Sequence, residues 1–335
     1  MSSIAVLDAP EIEGTDPLRR DARTGPALAI VGPTASGKTA LAIEVARTLD
    51  GEIISMDSRQ AYRGFRVGTA APAAAEVARA PHHGVGFLSP DERYGAGRFA
   101  RLAHAWMAEI RTRGRVPILA GGTGLFLRAL THPVFREPEL DPIRRAALAA
   151  WADARPVEEL TRWARRLDPA LGGRLVTVDR QRAGRTLELA LLAGRPLTWW
   201  IERGPPERPP LQPLVAVVEP PAAELRGRIR RRAEAMLEDG AWEAEVRDLI
   251  ERGLEASQAF EALGYRDVAA LGRREATREE TLERVVSRTW TYARRQRTWL
   301  RHQVPEDAMR LDGSMATDQL ARRVVGAWRE AAGER

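Results

Sequence analysis

The stretch ALAIVGPTASGKTALAIEVA, residues 27–46, decides the fold class of this chain. Its first five residues, 27–31, are all apolar and predict a buried strand, whereas residues 39–46 repeat apolar side chains at the three-to-four spacing of a helix. The residues between them match the pattern G-x-x-x-x-G-K-[ST] in full. Such a loop turns backbone N–H groups toward phosphate oxygens at the start of a helix, where the dipole favours anions. The stretch therefore predicts a phosphate-binding loop within an α/β fold.

Two side chains of this loop carry specific chemistry. Lys38 would bridge phosphate oxygens, and the Thr39 hydroxyl would hold Mg²⁺, the expected cofactor. Lys38 is also the only lysine among 52 basic residues, which makes its retention here conspicuous. The alternative is a glycine-rich turn that binds no ligand. The predicted loop consists of Gly32, Pro33, Thr34, Ala35, Ser36, Gly37, Lys38 and Thr39.

Composition narrows the class of protein. The chain has 335 residues, 44% of them hydrophobic, so it can bury a sizeable core, and its net charge of +6 favours a polyanionic partner. The absence of cysteine excludes disulfides, zinc–thiolate sites and cysteine nucleophiles. No apolar run has the length of a membrane span, and residues 1–24 are predicted to be a disordered, polar tail without a signal-peptide core. We therefore expect a cytoplasmic protein without a membrane partner.

Two further strands are predicted to deliver polar residues to the same edge of the sheet as the phosphate loop. Residues 52–56 predict a strand that ends at Asp57, and residues 116–120 predict one that runs into a glycine turn containing Thr123. Ligands of open α/β sheets bind at the carboxyl ends of the strands. Asp57 could therefore ligate a metal or act as a general base, or it could simply cap a helix. The turn around Thr123 could equally be structural.

The remaining sequence predicts a helical insertion and a basic C-terminal region. Residues 137–205 are rich in Arg, Ala and Leu with helical patterning, and residues 214–218 return to a buried-strand pattern. We expect a core formed by residues 25–136 and 206–335 around an inserted domain at 137–205. Residues 284–302 contain six arginines, three interleaved aromatics and no acid, a composition that suits phosphates and unpaired bases. An amphipathic helix with a solvated basic face is the alternative.

These motifs together resemble the tRNA dimethylallyltransferases, the IPP transferase family. The resemblance spans residues 26–302 and lies in the order and spacing of the motifs. They are GPTASGKT (32–39), SMDSRQAYRG (55–64), GTAAP (68–72), APHH (80–83), GGTGLFLRAL (121–130), DRQRAGRTLEL (179–189), RIRRRAEAML (228–237), EALGYR (261–266) and YARRQRTWLR (292–301). The resemblance implies a P-loop NTPase-like parallel sheet core with an inserted helical domain that grips the anticodon stem-loop.

The activity implied by the resemblance is transfer of a dimethylallyl group from dimethylallyl diphosphate to N6 of adenosine 37, releasing diphosphate. The substrates would be tRNAs that decode codons beginning with U, and the enzyme would be a monomer. Asp57 would be the general base, and Lys38 and Arg232 would stabilise the diphosphate, although Arg228 lies four residues away on the same helix face. The implied tRNA contacts are Asp57, Ser58, Arg59, Gln60, Thr123, Arg145, Gln181, Arg182, Ala183, Gly184, Arg185, Gly264, Tyr265 and Arg266.

Some residues depart from the family pattern, and three other functions remain open. Ala71 stands where the family has a lysine, and the pair His82–His83 is assigned a structural role because no metal-ligand spacing emerges. An adenylate isopentenyltransferase acting on free AMP, ADP or ATP would need neither the insertion nor the basic C-terminal region. A P-loop kinase of a small metabolite would account only for residues 26–60. An RNA-binding protein with a relic phosphate loop would not need Lys38, Thr39 or Asp57.

Overall fold

A six-stranded parallel sheet organises the chain in the computed structural model, which describes residues 26–132, 135–172, 180–205 and 207–333. The strands are β1 (Leu28–Val31), β2 (Gly51–Met56), β3 (His82–His83), β4 (Val116–Gly121), β5 (Leu214–Val218) and β6 (Met309–Leu311). Their order across the sheet is β3-β2-β4-β1-β5-β6. Strands were predicted at 27–31, 52–56, 116–120 and 214–218, and each is confirmed. The tail predicted at 1–24 lies outside the described residues.

Helices connect and cover these strands. Those before the insertion are α1 (Lys38–Thr48), α2 (Ala74–Arg79), α3 (Ala96–Thr112) and α4 (Gly124–Thr131). The next are α5 (Pro142–Asp153), α6 (Val157–Leu167), α7 (Pro169–Gly172), α8 (Arg180–Leu192) and α9 (Leu197–Arg203). The last are α10 (Ala222–Glu238), α11 (Ala241–Glu251), α12 (Tyr265–Gly272), α13 (Arg278–Gln303) and α14 (Thr317–Ala332), with two 3₁₀ turns at Leu254–Ala256 and Gln258–Glu261.

Both faces of the sheet are covered, which explains why its strands are apolar without alternation. Side chains of a strand point alternately to opposite faces, and accordingly Ala29 and Val31 join one apolar cluster while Leu28 and Ile30 join another. Helices α1 and α14 cover the second face, and α3, α4 and α10 to α13 cover the first. Because all strands are parallel, the segments that follow β1, β2 and β4 emerge at one edge of the sheet.

The chain divides into two compact units, residues 1–131 with 211–335, and residues 132–210. The second unit contains α5 to α9 and has a small apolar core of its own, formed by Ala152, Leu160, Ala164, Ala183 and Leu187. Its buried Asp168 accepts hydrogen bonds from the Thr198 N–H at 2.8 Å and the Thr198 hydroxyl at 2.7 Å. Asp168 therefore fixes the first turn of α9 from the end of α6. The sequence placed this inserted domain at 137–205.

No helix among the described residues combines the length and the apolar character needed to span a bilayer.

The amino end of β2 carries a buried carboxylate, that of Glu52. Its oxygens accept hydrogen bonds from Arg113 at 2.8 Å and Arg115 at 3.1 Å, and His83 Nε2 lies at 2.6 Å. Burial alone would raise the pKa of Glu52, but the hydrogen bonds from Arg113, His83 and Arg115 outweigh burial and lower it to about 2. His82 and His83 lie buried in β3, and burial lowers the pKa of both.

Glu52→Gln should reduce the free energy of unfolding by about 2 kcal/mol at pH 7, because the buried cluster loses its anion. A carboxylate with a lowered pKa stabilises the fold above its unfolded pKa of about 4.5 and loses that effect as the pH falls toward 2. The difference between wild type and variant should therefore shrink below pH 4.5 in urea unfolding. Glu44→Gln, which removes a surface pair with Arg79, should change stability much less at either pH. A pH-independent difference for Glu52→Gln would contradict this account.

Candidate active site

The phosphate loop, residues 32–39, joins β1 to α1. Gly37 has φ +93°, a left-handed conformation that favours glycine, and α1 begins at the next residue, Lys38. The first-turn N–H groups of a helix have no partner within the helix, so they face the bend of the loop as anion donors. The Thr39 side chain is exposed in this first turn. The loop thus has the geometry of a phosphate cradle.

Lys38 lies across the loop. Its Nζ donates a hydrogen bond to the Pro33 carbonyl at 3.2 Å. Burial lowers the pKa of Lys38 to about 8; the negative charge of Asp57 opposes this shift, and the positive charge of Arg232 adds to it. Lys38, Asp57 and Arg232 are therefore close enough for their charges to interact.

Asp57 follows β2 directly, and its two carboxylate oxygens differ in their surroundings. Oδ1 accepts hydrogen bonds from the backbone N–H of Arg59 at 2.8 Å and of Gln60 at 3.3 Å. Within the described part of the chain, no hydrogen bond occupies Oδ2. Asp57 thus caps the turn with one oxygen, which is the structural role considered for it, and keeps the other available for a proton.

The structure separates the two candidate arginines of α10. Nη1 of Arg232 is 3.5 Å from Thr34 Oγ1, and burial lowers its pKa while Asp57 opposes that shift. Arg228 instead donates to the carbonyls of Ser36 at 3.1 Å and Gly313 at 2.8 Å. Arg232 therefore faces the charges of the site, whereas Arg228 supports the backbone of the loop.

Thr123 lies beside Asp57, as expected for the glycine turn after β4. Its N–H donates to the Met56 carbonyl at 3.2 Å, and its hydroxyl accepts from the Ser58 N–H at 3.4 Å. The Tyr292 side chain of α13 lies near the Thr123 side chain. Burial, with the negative charge of Asp57, raises the pKa of Tyr292 to about 12, although 37% of the residue is exposed.

Two side chains after Asp57 maintain the site's own structure. Arg59 Nη1 donates to the Gln258 carbonyl at 2.8 Å. Gln60 Nε2 donates to the carbonyls of Thr69 at 3.2 Å and Ala70 at 3.0 Å, so Gln60 fixes the loop that ends at Ala71. Both residues are partly exposed, and their tRNA contacts stay predictions, as does that of Ser58.

The segment Gly264–Arg266 combines buried and exposed residues. Tyr265 is fully buried, and its hydroxyl donates to Glu245 at 2.7 Å, so its side chain supports the fold, while its role in tRNA binding stays a prediction. Gly264 adopts φ +89° against the Trp242 ring and is also buried. Arg266 is exposed and paired with Glu261, which leaves it the candidate for RNA in this segment.

In the inserted unit, neighbouring residues of α8 also differ in how exposed they are. Ala183 is fully buried in the small core, so its side chain packs inside the unit, and its contact with tRNA stays a prediction. Gln181 and Arg182 are exposed, and Gly184 borders open space. Arg185 pairs with Glu137 at 3.0 Å and Glu188 at 2.6 Å, and exposed Arg145 also pairs with Glu188. Contacts of these surface residues with tRNA stay predictions.

Glu245 on α11 is a supporting residue that the motifs did not indicate. Its carboxylate accepts hydrogen bonds from the N–H groups of Arg66 at 2.9 Å and Val67 at 2.7 Å, as well as from Tyr265. Glu245 therefore anchors residues 66 and 67, which belong to the same loop as the two carbonyls that accept hydrogen bonds from Gln60. No sequence signal could have found it, because the partners lie about 180 residues apart along the chain.

The side chains near the phosphate loop provide only part of the coordination that a magnesium ion needs. Within the described residues there is no cluster of three His, Cys, Asp or Glu side chains that could hold a metal. Mg²⁺ commonly keeps water and binds one or two protein oxygens together with substrate phosphates. The exposed Thr39 hydroxyl is a suitable protein ligand for that arrangement.

Two family models match the chain. The model described as IPP transferase matches residues 60–303, and the one described as isopentenyl transferase matches residues 26–82. A tRNA dimethylallyltransferase of Halorhodospira halophila is 44% identical over 285 residues, covering 84% of this chain and 91% of the relative.

Solved structures agree with the fold. The full-length tRNA isopentenylpyrophosphate transferase of Bacillus halodurans aligns with a TM-score of 0.66 and 29% identity, covering 92% of this chain and 97% of that one. A eukaryotic dimethylallyltransferase acting on tRNA aligns with a TM-score of 0.79 at 22% identity, covering 92% and 80% of the two chains. At that identity the second likeness supports the fold alone.

Anion binding at the loop should weaken above about pH 8, where Lys38 of the free protein loses its proton. Below that pH the ammonium is already present and makes no pH-dependent contribution; above it, binding must take up a proton, which raises the Kd by up to about tenfold per pH unit. Calorimetric titration with inorganic diphosphate between about pH 7 and 9.5 would measure this.

Lys38→Arg is the control for that titration, because a guanidinium keeps its charge throughout the range. The variant should bind more weakly but without the rise above pH 8. An equally steep rise in the variant would show that another group is responsible.

Proposed function

The chain belongs to the IPP transferase family, and on this premise we propose that it is a tRNA dimethylallyltransferase. It transfers the dimethylallyl group of dimethylallyl diphosphate to N6 of adenosine 37 in tRNAs that decode codons beginning with U. The observation that carries the proposal is the grouping of Lys38, Asp57 and Arg232 at the phosphate loop. Two cations and one carboxylate meet the needs of a reaction that releases an anion and a proton.

The donor's diphosphate would occupy the phosphate loop as a leaving group. The bond between C1 of the dimethylallyl group and the diphosphate oxygen breaks, and that oxygen keeps the electron pair. Negative charge would therefore grow beside Lys38 and Arg232, which both lie at the phosphate loop, and beside the N–H groups at the start of α1. A magnesium ion held by Thr39 would supply further positive charge to the same oxygens. Arg228 contributes indirectly by holding the loop backbone.

Asp57 would accept the proton that adenine loses. The exocyclic amine is a weak nucleophile, so it gains from a base that takes its proton as the N6–C1 bond forms. Oδ1 of Asp57 is engaged with backbone N–H groups, which fixes the carboxylate and leaves Oδ2 to accept the proton. The Thr123 hydroxyl beside Asp57 is suited to orient the same amine.

The RNA would be bound by exposed basic residues. Five of the six arginines between residues 284 and 302 are exposed, and together with Tyr292 they offer phosphate contacts and a stacking surface. Arg145, Gln181, Arg182 and Arg266 add exposed polar groups in both units. The target adenine must leave the stack of the anticodon loop to reach Asp57, at a cost of a few kcal/mol.

One chain carries all three charged site residues, so we propose a monomer that acts in the cytoplasm, where tRNA is modified.

Labelled dimethylallyl diphosphate with Mg²⁺ should deliver its label to unmodified tRNA that contains adenosine 37, and not to AMP or ATP. Label in the mononucleotide would identify an adenylate isopentenyltransferase. Label in neither would contradict prenyl transfer. Replacement of adenosine 37 by guanosine is the matched RNA control.

Asp57→Asn should lower kcat by about 10²- to 10⁴-fold, since the amide cannot accept the proton but retains the shape of the side chain. Asp50→Asn, at the opposite end of β2 and paired with Arg115, is the matched control and should keep full activity. Binding of tRNA should be equal in all three proteins. Unchanged turnover in Asp57→Asn would exclude Asp57 as the base.

A further inference from the structure

Helix α13 reaches both loops of the site from its buried face. Gln296 is only 8% exposed, and its two polar atoms point in different directions. Oε1 accepts a hydrogen bond from the Thr34 N–H of the phosphate loop at 2.8 Å, and Nε2 donates to the Gly122 carbonyl at 2.8 Å. One side chain thus connects the loop that faces the diphosphate with the turn that carries Thr123.

The space around Gln296 shows how closely these parts approach. A Cβ atom at Gly122 would lie 2.3 Å from Gln296 Nε2 and 2.9 Å from the Gly32 carbonyl. A Cβ atom at Gly124 would lie 2.3 Å from the Trp299 ring, one helical turn further along α13. The glycines of the turn are therefore required for α13 to press against it, and Gln296 fills the junction between the two loops.

The hydrogen bond to Thr34 also changes what the phosphate loop can offer. This N–H is directed to Gln296, so it does not serve as an anion donor. Anion binding is left to the part of the loop nearest α1, where Lys38 lies. The Thr34 hydroxyl also lies 3.5 Å from Nη1 of Arg232. A shift of Thr34 would therefore change the surroundings of the Arg232 guanidinium as well.

We propose that Gln296 is a positioning residue that holds the phosphate loop in register with the Thr123 turn, so that the donor diphosphate and the adenine amine meet at a fixed separation. This rests on the proposed function and deepens it. Gln296 touches neither substrate; it acts through Thr34 and Gly122. The exposed side of the same helix remains free to contact RNA through its arginines.

Gln296→Met tests the proposal, because methionine has a similar size but cannot make either hydrogen bond. The Kd for inorganic diphosphate with Mg²⁺ should rise by about tenfold, and kcat should fall, because loss of one partner leaves Thr34 N–H without its acceptor. The Kd for tRNA should stay near that of wild type, and the midpoint of thermal unfolding should fall by only about a few degrees, because an N–H group without its acceptor costs some stability. Gln303→Met is the matched control: the same change on the same helix removes a 2.8 Å hydrogen bond from Arg128 and should leave diphosphate binding unchanged.

A second variant tests the same contact from the other side. Gly122→Ala should displace Gln296, crowd the Gly32 carbonyl and weaken diphosphate binding at least as much as Gln296→Met. Wild-type diphosphate affinity in Gln296→Met or in Gly122→Ala would overturn the proposal. The diphosphate titration requires no turnover, so it separates the two claims. If wild type transfers no prenyl group but binds diphosphate in a Gln296-dependent way, the inference stands and the proposed function falls.

Discussion

Three partly buried charges at one edge of the sheet determine what the rest of the structure must do. Lys38 and Arg232 repel each other, and Asp57 attracts both, as the opposing effects on their pKa values show. Each belongs to a different segment: the loop after β1, the end of β2, and α10. A parallel sheet brings the first two to one edge, and helix α10, packed on one face, supplies the third. The desolvation of these groups is tolerable because each charge has a partner of opposite sign.

The features that were predictable from the sequence are those encoded within a few residues of one another. The phosphate loop, the apolar strands of a sheet covered on both faces, and the Asp57 turn all depend on local pattern, and the structure has them where expected. The helical character of the insertion followed from composition in the same way. Arg228 and Arg232 could not be separated, because residues four apart share a helix face; only the position of Thr34 and Gly313 distinguishes them.

Motif resemblance does not give the direction of each side chain. Tyr265 and Ala183 lie within segments that match the family pattern, yet both point into apolar clusters. Their neighbours Arg266 and Arg182 are exposed. A motif specifies a segment, whereas burial alternates within it at the helical period. The roles of Glu245 and Gln296 could not be predicted from the sequence, because their hydrogen bonds join distant segments and leave no local pattern.

The same three charges bear on how the proposed reaction would end. When Asp57 takes the proton of the adenine amine, its carboxylate no longer offsets Lys38 and Arg232, so the diphosphate then faces two cations without a competing anion. The product should be held most firmly at that moment and more weakly once Asp57 loses its proton. Arg232 keeps its charge throughout, while Lys38, with a pKa near 8 in the free protein, can lose its proton once the diphosphate has left. An arginine and a lysine therefore serve different purposes here, which gives a physical reason for the single lysine in an arginine-rich chain.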